Sequence, residues 1–391
     1  MLDFEFYAPT KVVFGKNAES RVGELVQAQK CKKVLVHYGG NSAKASGLLD
    51  RIFRSLTERK IAYVSLGGVV PNPRLSKVYE GIGLCRKEDV DFILAVGGGS
   101  VIDSAKAISY GLSNPFDVWD LFMKKQNAQA FMPLGVVLTI AASGSEMSNS
   151  TVITNEDGWL KRGYNDDLSR PVFAVMNPEL TYSLPPYQTA SGCVDILMHT
   201  LERYFTPGDT FDMTDRIAEQ LLRTVMENAR ILRAEPRNYK ARAEIMWAGS
   251  LSHNGLTGCG ASGDWVCHKL EHELGGLFDV AHGAGLAAVW GSWARYVYRT
   301  KPSRFAQFAV RVMDVPADAD GEDALCLKGI EAMEAFFHEI GMPVNVAEMS
   351  IRLTDAQIEE MAKKAYEGSG TIYGFRKIEE EDMRRIYEMA R

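Results

Sequence analysis

The sequence predicts two domains of different class, an α/β domain over residues 1–183 and an all-helical domain over residues 184–391. Three observations carry this. At 391 residues the chain exceeds what one hydrophobic core usually organises. Short apolar runs alternate with amphipathic stretches as far as Asn177-Pro178, the rhythm of a parallel sheet covered on both faces. From Pro185-Pro186 onward the apolar spacing is helical throughout.

In the first half, Phe4–Tyr7 and Lys11–Gly15 read as short strands around Pro9, and Glu19–Gln29 as a helix. Lys33–His37 is a buried strand closed by Gly39-Gly40, followed by a helix over Leu48–Arg59 and a strand over Ala62–Leu66. Pro71-Asn72-Pro73 breaks the chain before a helix at Leu75–Lys87. Phe92–Val96 is a strand running into Gly97-Gly98-Gly99-Ser100, with a helix from Val101 that places Asp103 on its first turn. Val136–Thr139 and Val172–Met176 complete the strands, and Lys161 falls in an exposed hairpin-like segment. In the second half Tyr187–Tyr204, Thr214–Arg233, Ala241–Leu256, Asp264–Leu274, Gly285–Arg299, Ser303–Met313, Glu322–Ile340 and Asp355–Tyr366 all have helical spacing, and no strand is expected.

Composition narrows the function. The chain is 46% hydrophobic and 24% charged with a formal net charge of −6, which gives no basic footprint for nucleic acid. No apolar run reaches the length of a bilayer span, and Met1–Thr10 lacks the pattern of a secretory signal. Cysteines 31, 85, 193, 259, 267 and 326 form no C-x₂-C pair and read as free thiols in a reducing cytoplasm.

Two stretches carry chemistry. In G-G-G-S-V-I-D (Gly97–Asp103) a glycine run leaves a strand and opens a helix, so backbone amides and the positive helix end meet an anion such as a pyrophosphate. A tight strand-to-helix turn is the plainer explanation of the same residues. Tyr38-Gly39-Gly40-Asn41-Ser42 ends another strand, and no acid follows until Asp50. An acid near the adenine ribose is the usual mark of NAD over NADP, whereas Asn41, Ser42 and Lys44 suit a 2′-phosphate. Thr139–Glu146 (T-I-A-A-S-G-S-E) is hydroxyl-rich, fit either for a loop or for donors near a nicotinamide.

The second stretch runs from Ser191 to His282 and holds five of the seven histidines. Asp195 and His199 are four apart, as are His268 and His272, so each pair shares a helical face. Imidazoles with one carboxylate suit zinc or ferrous iron. The order His268-Lys269-Leu270-Glu271-His272 is not the H-E-x-x-H of a zinc protease. Four imidazoles and a carboxylate overfill a tetrahedral site, so one histidine is left over, and spacing does not say which.

Taken in order, G-G-G-S-V-I-D, A-S-G-S-E, D-x₃-H, H-x₃-H and the final histidine resemble the iron-dependent (group III) alcohol dehydrogenases. Y-G-G-x-S, P-N-P, N-P-E-L-T-Y-S-L-P, M-W-A and R-R-I-Y-E are most similar to the butanol dehydrogenase and NADPH-dependent aldehyde reductase branch. The resemblance spans nearly the whole chain. It implies a Rossmann-like dinucleotide domain before a helical metal domain, with Asp195, His199, His268 and His282 as ligands of Fe²⁺ or Zn²⁺. It implies that His272 lines the substrate cleft, with a proton relay as its catalytic possibility, and that Asp103 is an acid near the cofactor. It further implies cofactor contacts from Gly98, Gly99, Ser100, Thr139, Ser143 and Lys161, with Gly39, Asn41 and Ser42 in the adenosine-phosphate pocket. Asn41 stands where close relatives often have glycine. The expected activity is hydride transfer between NADP(H), preferred over NAD(H), and short-chain aldehydes or primary alcohols, in a cytoplasmic homodimer. A dehydroquinate synthase-like lyase is the alternative, with a related two-domain plan; its metal set resembles one glutamate and two histidines, where Asp195 stands here.

Overall fold

The computed structural model describes residues 2–317 and 321–391, and the chain divides into two compact units. One is Tyr7–Leu184; the other joins Met1–Phe6 to Pro185–Arg391.

The first unit is built on strands β1 (Lys11–Phe14), β2 (Lys33–Tyr38), β3 (Ala62–Leu66), β4 (Phe92–Gly97), β5 (Leu134–Leu138) and β8 (Phe173–Met176). They form one sheet in the order β1-β8-β5-β4-β2-β3, with every pairing parallel. Parallel strands need crossovers, which helices α1 (Val22–Gln27), α2 (Ser42–Ala45), α3 (Leu48–Glu58), α4 (Leu75–Glu88), α5 (Gly99–Ser113) and α6 (Trp119–Phe122) supply in part. Phe92, Ile93, Leu94, Ala95 and Val96 of β4 are all fully buried, which explains a continuous apolar run in place of alternation. An antiparallel hairpin, β6 (Ser150–Asn155) with β7 (Leu160–Asn165), stands apart from this sheet.

Strand order reverses between β2 and β4, which lie side by side with Tyr38 opposite Val96. Ligands of open α/β sheets bind beyond the carboxyl ends of the strands at such a reversal. The two glycine loops noted in the sequence, after Tyr38 and after Val96, leave from those two ends.

His37 ties β2 to α5. Its Nε2 lies 2.9 Å from the Ser104 hydroxyl and its Nδ1 3.0 Å from the Leu66 carbonyl. Burial pushes this imidazole down to about 4 from its usual 6.5. The unfolded chain therefore binds the proton first as pH falls, and stability drops between about pH 6.5 and pH 4. We expect His37→Gln to remove up to ~3 kcal/mol of that loss, measured as the difference between wild-type and variant denaturation midpoints across this range. Parallel pH dependences would refute it.

The second unit is helical: α7 (Pro186–Tyr204), α8 (Asp212–Ala234), α9 (Tyr239–His253), α10 (Val266–Phe278), α11 (His282–Val297), α12 (Pro302–Arg311), α13 (Glu322–Glu339), α14 (Asp355–Ser369) and α15 (Glu380–Ala390). α7 starts on Pro186 at its first turn, where the missing N–H costs nothing. No helix among the described residues is long and apolar enough to cross a membrane.

Several expectations are corrected. Phe4–Tyr7 is not a strand. Residues up to Phe6 join the helical unit rather than the sheet, because Leu2 donates its N–H to the Gly260 carbonyl at 3.1 Å and Phe4 packs edge-on to Phe211. The helical half does hold strands, the two-residue pair β9 (Ile372–Tyr373) and β10 (Lys377–Ile378). α10 passes through Gly275-Gly276 and ends at Asp279, whose left-handed φ of 52° closes it. α11 starts at His282 itself, three residues earlier than its apolar spacing suggests.

Candidate functional site

In the sheet unit, α5 opens at Gly99 with Gly98 as its N-cap. The segment after β5 lies on this turn: Thr139 donates its N–H to the Gly97 carbonyl at 3.0 Å. A Cβ at Gly99 would stand 2.2 Å from Ser143 Oγ, and one at Gly98 would stand 2.9 Å from Ile140 Cβ. The glycines are thus required by close approach, and the structure brings Gly98, Gly99, Ser100, Thr139 and Ser143 together around one helix N-terminus. Such an end is suited to a phosphate group. Gly39 reaches the same helix, since a Cβ there would lie 3.6 Å from Val101 Cγ2. Asn41 and Ser42 beyond it are exposed.

Two residues stand differently from the sequence expectation. Asp103 is on the second turn of α5, not the first, because the helix already starts at Gly99. One of its oxygens accepts from the Ser145 hydroxyl at 2.6 Å and the other from the Val152 N–H at 3.0 Å. It braces the loop that carries Thr139 and Ser143. Lys161 is 4% exposed, not a solvated hairpin lysine; it lies on β7 opposite Thr154, which is itself fully buried. A third residue passed unnoticed in the sequence. Lys106, one turn beyond Asp103, is wholly buried and donates to the Ser148 and Ser150 carbonyls at 2.9 Å each. Burial lowers it to about 8.

In the helical unit, α7 contributes Asp195 and His199 from its buried face, α10 contributes His268 and His272, and α11 begins with His282. Asp195 Oδ1 is the hub. It lies 3.2 Å from His199 Nδ1, 3.9 Å from His268 Nε2 and 3.7 Å from His282 Nε2. Metal bonds of 2.0–2.2 Å in a tetrahedron set neighbouring donors ~3.4 Å apart, so these spacings fit an ion between them. Donor atoms of Asp195, His268 and His282 all lie within 4.8 Å of one another. His199 is outside that mutual set, although its ring centroid is 4.6 Å from that of His268.

Two buried atoms, His199 Nδ1 and His268 Nε2, have no hydrogen-bond partner among the described residues. An unsatisfied buried nitrogen is costly, and a metal ion would relieve both. Burial holds His199 well below the ordinary histidine value and takes His268 to about 3. Both rings are therefore neutral, the form that ligates metal. The residues present fit a divalent cation.

His272 is buried one turn beyond His268, its ring centroid 6.1 Å from that of His282, and it does not join the convergent set. Sequence spacing missed other members of the cluster. His253 ends α9 with its ring 3.9 Å from His199, and Trp265 packs 5.4 Å from His268 with the Arg203 guanidinium 4.5 Å over its ring. Glu202 and Glu271 hydrogen-bond the outer nitrogens of His268 and His282. Glu202 and Glu271, each three residues after a histidine of the set on the same helix, carried the one positional hint.

A parallel sheet with a glycine-rich helix start at its strand reversal, and a helical unit whose carboxylate and histidines fit a divalent cation, are the marks of a dinucleotide- and metal-using enzyme. The model of iron-containing alcohol dehydrogenases matches residues 9–178, and that of the family's C-terminal domain matches 189–391. The chain belongs to the iron-containing alcohol dehydrogenase family. It is 38% identical over 390 residues, spanning all of both chains, to a probable NADH-dependent butanol dehydrogenase of Bacillus subtilis. It is 35% identical, again over the whole of both, to an NADPH-dependent aldehyde reductase of Escherichia coli. A crystal structure of NADH-dependent butanol dehydrogenase A from Thermotoga maritima superposes with a TM-score of 0.95 at 38% identity, covering 100% of this chain and 99% of that one. The protein is accordingly an NAD(P)-dependent oxidoreductase acting on CH–OH donors.

Proposed function

We propose that this enzyme interconverts short-chain aldehydes and primary alcohols by hydride transfer with NADP(H), using one Fe²⁺ or Zn²⁺ held by Asp195, His199, His268 and His282. The convergence of three imidazoles on Asp195 Oδ1 carries this reading. When bound, the metal supplies a Lewis acid for the carbonyl oxygen. Gly98, Gly99 and Ser100 hold the cofactor's pyrophosphate, and Thr139, Ser143 and Lys161 contact the rest of the dinucleotide. Asp103 supports that contact by bracing the loop of Thr139 and Ser143. His272 lines the substrate pocket and relays the alcohol proton, a task suited to imidazole.

The preference for NADP(H) rests on Gly39, Asn41 and Ser42, with Lys44 nearby and no acid before Asp50. The relatives' names divide on this point, with NADH and NADPH both represented. We expect a lower KM for NADPH than for NADH; equal or reversed values overturn the preference. The activity itself is tested by following NADPH absorbance with metal-loaded enzyme and short aliphatic aldehydes. No oxidation with any of them, nor with ketones, would sink the dehydrogenase reading. The lyase alternative gains no support from the relatives.

The enzyme is further inferred to act in the cytoplasm as a homodimer. β1 is an edge strand, and Phe14 on it, like Phe4, Phe6 and Tyr7 before it, is exposed. Edge strands with apolar side chains tend to be covered. Light scattering giving the mass of a single chain would refute the dimer.

A further inference from the structure

Of the three rings that face Asp195, those of His268 and His282 have their second nitrogen held by a buried acid. His268 Nδ1 lies 2.9 Å from Glu202 Oε1, and the same oxygen accepts the His268 backbone N–H at 2.9 Å. His282 Nδ1 contacts Glu271 Oε2. Glu202 is 3% exposed and Glu271 fully buried. Neither acid shares a helix with the ring it holds. Glu202 of α7 holds a ring of α10, and Glu271 of α10 holds a ring of α11. Asp195 of α7 then meets both rings from the other side.

We propose that Glu202 and Glu271 are positioning residues for the metal, binding three helices into one ligand-orienting circuit. Each carboxylate accepts the Nδ1 proton, so the lone pair stays on Nε2, and each fixes the angle at which its ring meets Asp195. The proposal rests on the metal reading above. Carboxylates behind ligating histidines typically account for about 10–100-fold in metal affinity.

Gly285 supplies an independent sign that Glu271 is placed for this purpose. A Cβ on Gly285 would stand 2.8 Å from Glu271 Cγ and 3.3 Å from its Oε1. The acid passes across the face of α11 where that helix has no side chain. The glutamate three residues after His268 and the glycine three residues after His282 thus work as one device.

The test uses full-length wild type, Glu271→Ala, Glu271→Gln and Gly285→Ala, each stripped by chelator and titrated with Zn²⁺ against a chromophoric competitor. We expect Zn²⁺ affinity to fall about 10–100-fold in Glu271→Ala and at least several-fold in Gly285→Ala, which alters no ligand. Glu271→Gln, a neutral acceptor in the same place, is expected to recover part of the affinity and to shift the visible d–d bands of the Co²⁺ form. Metal-free melting curves that match wild type tie the loss to ligand orientation. If Glu271→Ala does not fold, the glutamine variant decides: wild-type affinity together with an unshifted Co²⁺ spectrum overturns the proposal. Wild-type Zn²⁺ affinity in both Glu271→Ala and Gly285→Ala also overturns it while leaving the metal site standing. A wild-type protein that takes up neither ion brings down the metal reading instead.

Discussion

Asp195→Ala is expected to leave the protein folded, empty of metal, and slower by on the order of 10³-fold or more, the several kcal/mol of Lewis-acid stabilisation converted to rate. Asp195 contributes the only carboxylate to the predicted ligand set, and its Oδ1 is the atom on which the three histidine nitrogens converge. Without it, neutral imidazoles have no anion to draw a divalent ion into a buried site. The metal-free form has a different balance. There the aspartate is a buried carboxylate without a cation to face, and burying such a charge is costly, so its loss is not expected to weaken the stripped protein. Metal analysis of the purified variant, the rate of NADPH oxidation and the melting temperature of the stripped protein together check this. Full metal occupancy would refute the role of Asp195. A collapse of the stripped protein would show that the residue serves the fold instead.

Gly283→Ala is expected to damage the same site without changing any ligand. A Cβ there would stand 1.9 Å from the Ser191 carbonyl oxygen and 2.7 Å from its carbon. Both atoms are backbone, so no rotamer change relieves the clash, and α11 must withdraw from α7. His282 directly precedes this glycine, and Asp195 follows Ser191 by one helical turn. Overpacking of this kind costs up to ~3 kcal/mol, occasionally more. If most of that falls on the His282–Asp195 spacing, metal affinity drops about 100-fold. Metal titration together with thermal melting reads both effects; wild-type values in both would show that the helix contact is softer than its spacing implies.

The parts of this molecule visible in its sequence are those with a period. Buried parallel strands appear as unbroken apolar runs such as Phe92–Val96, and Asp195 with His199 appears at one helical turn. What lacks a period was hidden. Glu202 and Glu271 look like acids on solvated helical faces, because sequence does not distinguish a carboxylate facing water from one facing an imidazole on another helix. His253 has no second histidine at helical spacing on α9 and meets His199 because α9 packs on α7. Phe4–Tyr7 alternates like a strand, yet Phe4 is held by a ring of the helical unit. The burial of Lys161 and the bracing by Asp103 depend on the β6–β7 hairpin and the loop before it, which local spacing does not place.

The short lead of residues ending at Phe6 has a consequence for how the chain matures. It is made before the whole sheet, yet its partners Phe211 and Gly260 lie more than two hundred residues downstream in the sequence. During synthesis it must wait, unpaired, until those helices exist. A protein expressed as residues 185–391 alone would carry the ligands but lack this strap. A cut at residue 184 therefore leaves one part of the helical unit on the other piece of the chain.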